Sequence, residues 1–147
     1  MIRVSVQEAP LDIAAEHRAL AQSGVGGIAS FTGLVRGDDG VTTLELEQYP
    51  GMTGRMLTRL AEQAAERWSL AAATIVHRVG PMAVGDGIVF VGTASAHRAD
   101  ALEACAYLID RLKTDAPFWK REWQGGESRW VEARACDDSA AERWDTK

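Results

Sequence analysis

Hydrophobic and polar positions change period several times along the chain, and each change marks an element. Ile2, Val4 and Val6 alternate with Arg3, Ser5 and Gln7, the period of two expected of an edge or first strand with one buried face. After Pro10, LDIAAEHRALAQ places Leu11, Ala14, Ala15 and Leu20 near helical spacing until Gly24 and the GVGG stretch break it, which predicts a short helix. GIASFTGLV at 27–35 is β-branched and aromatic enough for a strand, and GDDG at 37–40 turns the chain into TTLELEQY. There Leu44 and Leu46 point one way, Glu45 and Glu47 the other.

Pro50 and Gly51 end that strand, and Met56, Leu57, Leu60 and Ala64 repeat with the spacing of an amphipathic helix running to about Trp68, with Thr53 as its N-cap candidate. ATIVHRVG alternates again, Pro81 to Gly87 supply turn residues, and IVFVGTASA is the near-continuous apolar run of a central strand. Ala101, Leu102, Cys105, Leu108, Ile109 and Leu112 then share one helical face, with Asp100, Glu103 and Asp110 elsewhere, until Pro117 forbids continuation. FWKREWQ and SRWVEAR, joined by GGE, predict a β-hairpin, and DDSAAERW a capped terminal helical turn. Helices alternating with paired strands predict an α+β fold with a mixed or antiparallel sheet. The 147 residues are expected to form one domain, 1–147, with no internal repeat or linker.

Composition narrows the function. A net charge of −5 argues against a general affinity for nucleic acid or anionic membranes. Cys105 and Cys136 are too few for a disulfide framework or a four-thiolate metal site; no cofactor or metal is expected, and a reducing cytoplasm fits. The N-terminus has no basic segment followed by an apolar run, and no stretch approaches a membrane span, so a soluble, unprocessed protein is expected.

Against that acidic background RLKTDAPFWKR, residues 111–121, carries Arg111, Lys113, Lys120 and Arg121 with only Asp115 to oppose them. Two of the chain's three lysines fall here. Cations at a helix end complement its dipole, which is one reading. The other is catalytic: a lysine beside apolar surface, here Phe118 and Trp119, and beside other cations is a candidate nucleophile or proton carrier.

SAHR at 95–98 places His97 and Arg98 where a strand runs into a helix, a setting for a phosphate or simply for a capping histidine. Arg36 ends the FTGLVR strand, either to clamp an anion or to pair with Asp38 or Asp39 on the surface. Arg134 can be argued the same way. His17 falls on a polar helix face and His77 in an alternating strand, and no histidine pair has zinc-ligand spacing. The GVGG glycines form neither GxGxxG nor a Walker loop. The residues alone describe a basic, aromatic-lined pocket for a small anionic substrate.

FTGLVR (31–36), ELEQYPGMT (45–53), HRVG (77–80), GDGIVFVGTASAHR (85–98), LKTDAPFWKRE (112–122) and RWVEAR (129–134) together resemble the MoaE family, the large catalytic subunits of molybdopterin synthase, from about residue 2 to Trp144. The resemblance implies an α/β-hammerhead-like fold and a homodimer within a heterotetramer. It also implies a small ubiquitin-like sulfur-carrier partner whose C-terminal Gly-Gly thiocarboxylate enters a pocket. The implied activity is a sulfurtransferase step of molybdenum cofactor biosynthesis, in which two sulfurs convert cyclic pyranopterin monophosphate into the molybdopterin dithiolene.

By the same resemblance Lys113 and Lys120 are the catalytic lysines, and Arg36, His97, Arg98 and Arg134 bind the pterin phosphate. Phe31, Phe118 and Trp119 line the pocket for the partner's tail. The chain departs from many relatives in the short, acidic GDDG after Arg36, and in Trp123 with the compact GGE turn. Two other classes compete: a noncatalytic module that keeps the tail groove, and a pterin or nucleotide phosphate binder acting alone.

Overall fold

The computed structural model describes residues 1–115, 118–131 and 144. Its elements are β1 (Ile2–Gln7), α1 (Ile13–Leu20), β2 (Gly27–Leu34), β3 (Thr43–Gln48), α2 (Met52–Trp68), β4 (Ala72–Arg78), β5 (Gly80–Ala83), β6 (Gly87–Ser95), α3 (Arg98–Asp115), β7 (Phe118–Gln124) and β8 (Glu127–Val131). The expected order holds, with one strand added: β5 falls within the stretch predicted to be turn. Pro81 is tolerated there because β5 is an edge strand, where the missing N–H breaks no ladder.

Two four-stranded sheets form. The first runs β1-β4-β6-β2, with β1 parallel to β4 and the other pairs antiparallel. The second runs β5-β3-β7-β8 and is antiparallel throughout. The architecture is therefore the mixed α+β arrangement the alternation of elements implies.

Register assigns the faces of the first sheet. Val4, Ile75, Val91 and Phe31 stand in one cross-strand row, and Val6, His77, Val89 and Gly33 in the next, on the face covered by α2 and α3. Ala72, Val76, Phe90 and Ala94 look to the opposite side, where Leu20 of α1 packs on them. With strands on both sides and layers on both faces, every residue of β4 is buried. The alternation expected of ATIVHRVG thus gives way to burial of both faces, because position in the sheet overrides the local pattern.

Three further expectations change. In α1 the buried residues are Glu16 and Leu20; Glu16 is reachable because Arg3 of β1 grips it through two hydrogen bonds of 2.7 and 2.8 Å. Thr53 is not the N-cap of α2, which is Gly51. Thr53 is wholly buried as the second residue of the helix, and its hydroxyl accepts from the Tyr49 amide at 3.2 Å. Leu102 of α3 is 61% exposed, while Ala104 and Tyr107 are buried in its place. The predicted terminal helical turn lies outside the described residues except for Trp144, which packs on Trp68 and Tyr107 and donates to Asp110 at 2.8 Å.

The sheets join where the chain passes from β4 through Val79 to Gly80, whose φ of 82° suits glycine. Ile88 packs against both cores at this seam. At the far end of the first sheet, Gly26 places its backbone so close to the corner between β6 and α3 that an added Cβ would overlap the carbonyl oxygen of Ala96. Gly26→Ala is expected to lower stability by about 1–3 kcal/mol, as overpacking against backbone does. A lower urea midpoint at unchanged slope checks this.

Candidate functional site

Strand alternation splits the basic segment into two faces. Phe118 and Lys120 share the inner face of β7, where Lys120 stands opposite the buried Leu46. Trp119 and Arg121 occupy the outer face. Arg121 reaches Glu45 at 4.0 Å and lies 4.2 Å over the Trp130 ring. Trp119, 51% exposed, sits 6.0 Å from Tyr49 and 6.1 Å from Trp130. Arg111 is taken up by Asp115 at 3.8 Å and by the face of Tyr107. Of the four cations clustered in sequence, Lys120 shares the inner face of β7 with Phe118, and Lys113 lies near the end of α3.

Lys113 occupies the last turn of α3, and its positive charge acts on His77. His77 stacks on Phe118 at 3.9 Å between ring centres, with 22° between planes. The Lys113 end of α3, the first residues of β7 and the His77 end of β4 therefore converge. Phe31 packs against the same apolar cluster as Phe118, and its ring lies over Gly33 in the His77 row. Arg36, two residues beyond the end of β2, belongs to this end of the sheet; it is highly exposed and 3.4 Å from Asp38, the surface pairing allowed for it.

His97 and Arg98 lie at the other end. The His97 carbonyl accepts from the Ala101 amide at 3.3 Å, so its backbone serves as the helix cap while its side chain is exposed. Fifteen residues of α3 separate Arg98 from Lys113, a rise of about 22 Å. β2 measures the same span independently: Gly27 abuts Arg98, and Leu34 lies roughly 23 Å further along the strand. The small-anion pocket expected from sequence thus does not close within one chain. Arg134 lies outside the described residues.

The residue that sequence reasoning set aside is His77. It is buried, and its Nδ1–H donates to the carbonyl of Arg78 at 2.9 Å. Burial first, with the Lys113 charge acting in the same sense, lowers its pKa to about 4, against the opposing pull of the Arg78 carbonyl. The ring is neutral at physiological pH, and with Nδ1 protonated its Nε2 carries the lone pair. The available signal was a histidine embedded in the apolar run AATIV. Cys105 is buried 4.0 Å from the Val91 carbonyl, and burial pushes its thiol up to about 11, so it holds no thiolate at neutral pH.

Among the described residues no group of three or more His, Cys, Asp or Glu side chains is placed to hold a metal ion, and no helix is long and apolar enough to cross a membrane. A groove of about 560 Å³ between β1 and α2, with Val4 and Val6 on one wall and Arg55, Thr58 and Arg59 on the other, includes none of the predicted site residues.

The family model described as MoaE protein matches residues 6–115. The chain is 47% identical to the molybdopterin synthase catalytic subunit of Vibrio cholerae over 97% of its length and 98% of that protein's. It is 45% identical to that of Escherichia coli, with 97% of each covered. A solved structure, the molybdopterin biosynthesis MoaE protein from Burkholderia ambifaria, superposes with a TM-score of 0.86 at 43% identity over the full length of both chains.

The burial of His77 has a consequence for acid stability. Its folded pKa of about 4 lies below the ordinary 6.5, so the unfolded chain takes up the proton first. Stability is therefore full above pH 6.5 and falls as the pH drops from 6.5 towards 4, by on the order of 3 kcal/mol from this one group. His77→Phe is expected to lose less stability than the unsubstituted protein between pH 7 and 4.5. Urea unfolding of both proteins at a series of pH values measures the difference.

Proposed function

The chain belongs to the MoaE family, and from that membership we infer that it acts as the catalytic subunit of a molybdopterin synthase. It is a sulfurtransferase of molybdenum cofactor biosynthesis that builds the dithiolene of molybdopterin on a pyranopterin. The observation that carries the reading is the convergence of Lys113, at the end of α3, with the face of β7 that bears Phe118 and Lys120. Among the described residues Cys105 is held as a buried thiol unsuited to carrying sulfur, and in this reading the sulfur arrives on another molecule. That donor is a small ubiquitin-like subunit with a C-terminal Gly-Gly thiocarboxylate, and the substrate is cyclic pyranopterin monophosphate.

An extended Gly-Gly tail needs an apolar passage ending in positive charge. Phe31 and Phe118 supply the apolar walls in this reading, with Lys113 at the end. Lys113 meets the acyl terminus, and Lys120 handles protons as sulfur adds and the substrate oxygen leaves. Trp119, on the outer face, belongs to a neighbouring surface and not to the same wall. Arg36, His97, Arg98 and Arg134 bind the pterin phosphate. Because about 22 Å of helix separates Arg98 from Lys113, one site takes its lysines from one copy of the chain and its His97 and Arg98 from a second. A homodimer of one-domain subunits, each with a sulfur-carrier partner, satisfies this.

Mixing purified protein with a thiocarboxylated ubiquitin-like partner and cyclic pyranopterin monophosphate is expected to give dithiolene product as the partner loses the mass of its sulfur. A partner that binds and keeps its sulfur would instead indicate a docking module. Lys113→Ala is expected to cut turnover about 10²-fold or more, and Arg98→Ala to raise the KM for the pterin about ten-fold. Assayed at pterin concentrations well below the KM, where Arg98→Ala alone retains about a tenth of the activity, unfolding and refolding the two variants together should restore about a quarter, since half the dimers are mixed and each has one intact site. Failure to recover activity in mixed dimers would place both residues in the same copy's site.

A further inference from the structure

His77 stacks on the strand that carries Lys120 and feels the charge of Lys113 on α3, while belonging to neither element. Its ring is fixed from three directions. The backbone of β4 holds it between Val6 and Val89, the Nδ1–H bond to Arg78 sets its plane, and Phe118 lies flat against it. Phe118 is the first residue of β7, and Lys120 follows two positions on, on the same face. The imidazole is thus where the first sheet meets the strand of the second that carries Lys120, within reach of the charge of Lys113 at the end of α3.

We propose that His77 is a positioning residue for sulfur transfer: its flat ring, stacked on Phe118, fixes the start of β7 and so the placement of Lys120 relative to Lys113. The inference rests on the synthase reading for its kinetic consequence, but the placement itself does not depend on it.

A planar ring offers Phe118 a stacking surface that an aliphatic or amide side chain does not, and the stacked contact restrains the start of β7. Carrying no charge, the ring neither repels Lys113 nor needs a counter-ion in a buried position. The hydrogen bond to Arg78 is what keeps the plane, so a ring without that donor stacks while losing part of its orientation.

Three variants separate these contributions. His77→Phe keeps the ring and loses the donor, His77→Gln keeps a donor and loses the ring, and His77→Ala loses both. In the complete complex with its thiocarboxylated partner, His77→Ala and His77→Gln are expected to lower kcat about 10- to 100-fold with little change in the KM for the partner, as displacement of a reacting group does. His77→Phe should recover most of the rate. Folded fraction is measured for each variant, so that loss of stability is not read as loss of rate.

A second measurement needs no turnover. The chain has three lysines, and their acylation by an amine-reactive ester can be followed by mass spectrometry with Lys147 as internal reference. The relative reactivity of Lys120 should change several-fold in His77→Ala and His77→Gln and remain near the unsubstituted value in His77→Phe. Equal kcat per folded molecule in all three variants, with unchanged Lys120 labelling, overturns the proposal. An unsubstituted protein that never produces dithiolene overturns the synthase reading instead, and the labelling result then decides the placement on its own.

Discussion

Burial of β4 on both faces is the constraint on which the rest of the molecule depends. A strand flanked by β1 and β6, covered by α2 and α3 on one side and by α1 on the other, accepts polar groups only when they are neutral or fully engaged. His77 meets the condition by giving its proton to the Arg78 carbonyl and staying uncharged. Arg78 meets it by reaching back to the carbonyl of Glu8 at 3.1 Å and towards Asp86 at 3.6 Å. These two residues close the first sheet at the edge where the chain crosses to the second, so the requirement that makes β4 a good core strand also fixes the seam beside the lysines.

From that seam the site follows by geometry. α3 runs the length of the first sheet and delivers Lys113 to the His77 end, while its start leaves His97 and Arg98 at the other. β7 then begins against His77 through Phe118 and turns Lys120 to the same side. The period of two sends Trp119 and Arg121 outward, where they join Tyr49 and Trp130 in a separate aromatic surface. Four consecutive residues, Phe118 to Arg121, that read as part of one basic, aromatic cluster therefore serve two faces with different surroundings.

The length of α3 also keeps its two groups of candidate residues apart within one chain. A helix is a rigid ruler, and groups at its two ends cannot contact the same small anion. In the dimer proposed above, a second copy brings its His97 and Arg98 end to the lysine-bearing end of the first.

The order of elements, the amphipathic faces of α2 and β3 and the candidate lysines were legible in the sequence because each depends on local periodicity or on residue types that chemistry restricts. So were the motifs that mark the MoaE resemblance, since they are contiguous. Tertiary structure alone decided what depends on partners distant in the chain. β4 became buried on both faces because β1, some seventy positions earlier, pairs with it; Glu16 is buried because Arg3 reaches it; and Leu102 faces solvent because α3 packs on the sheet through Ala104 and Tyr107. His77 belongs to the same class. Its place in an apolar run marks it locally only as a buried strand histidine, and its meaning appears only when Phe118, forty-one residues later, lies against it.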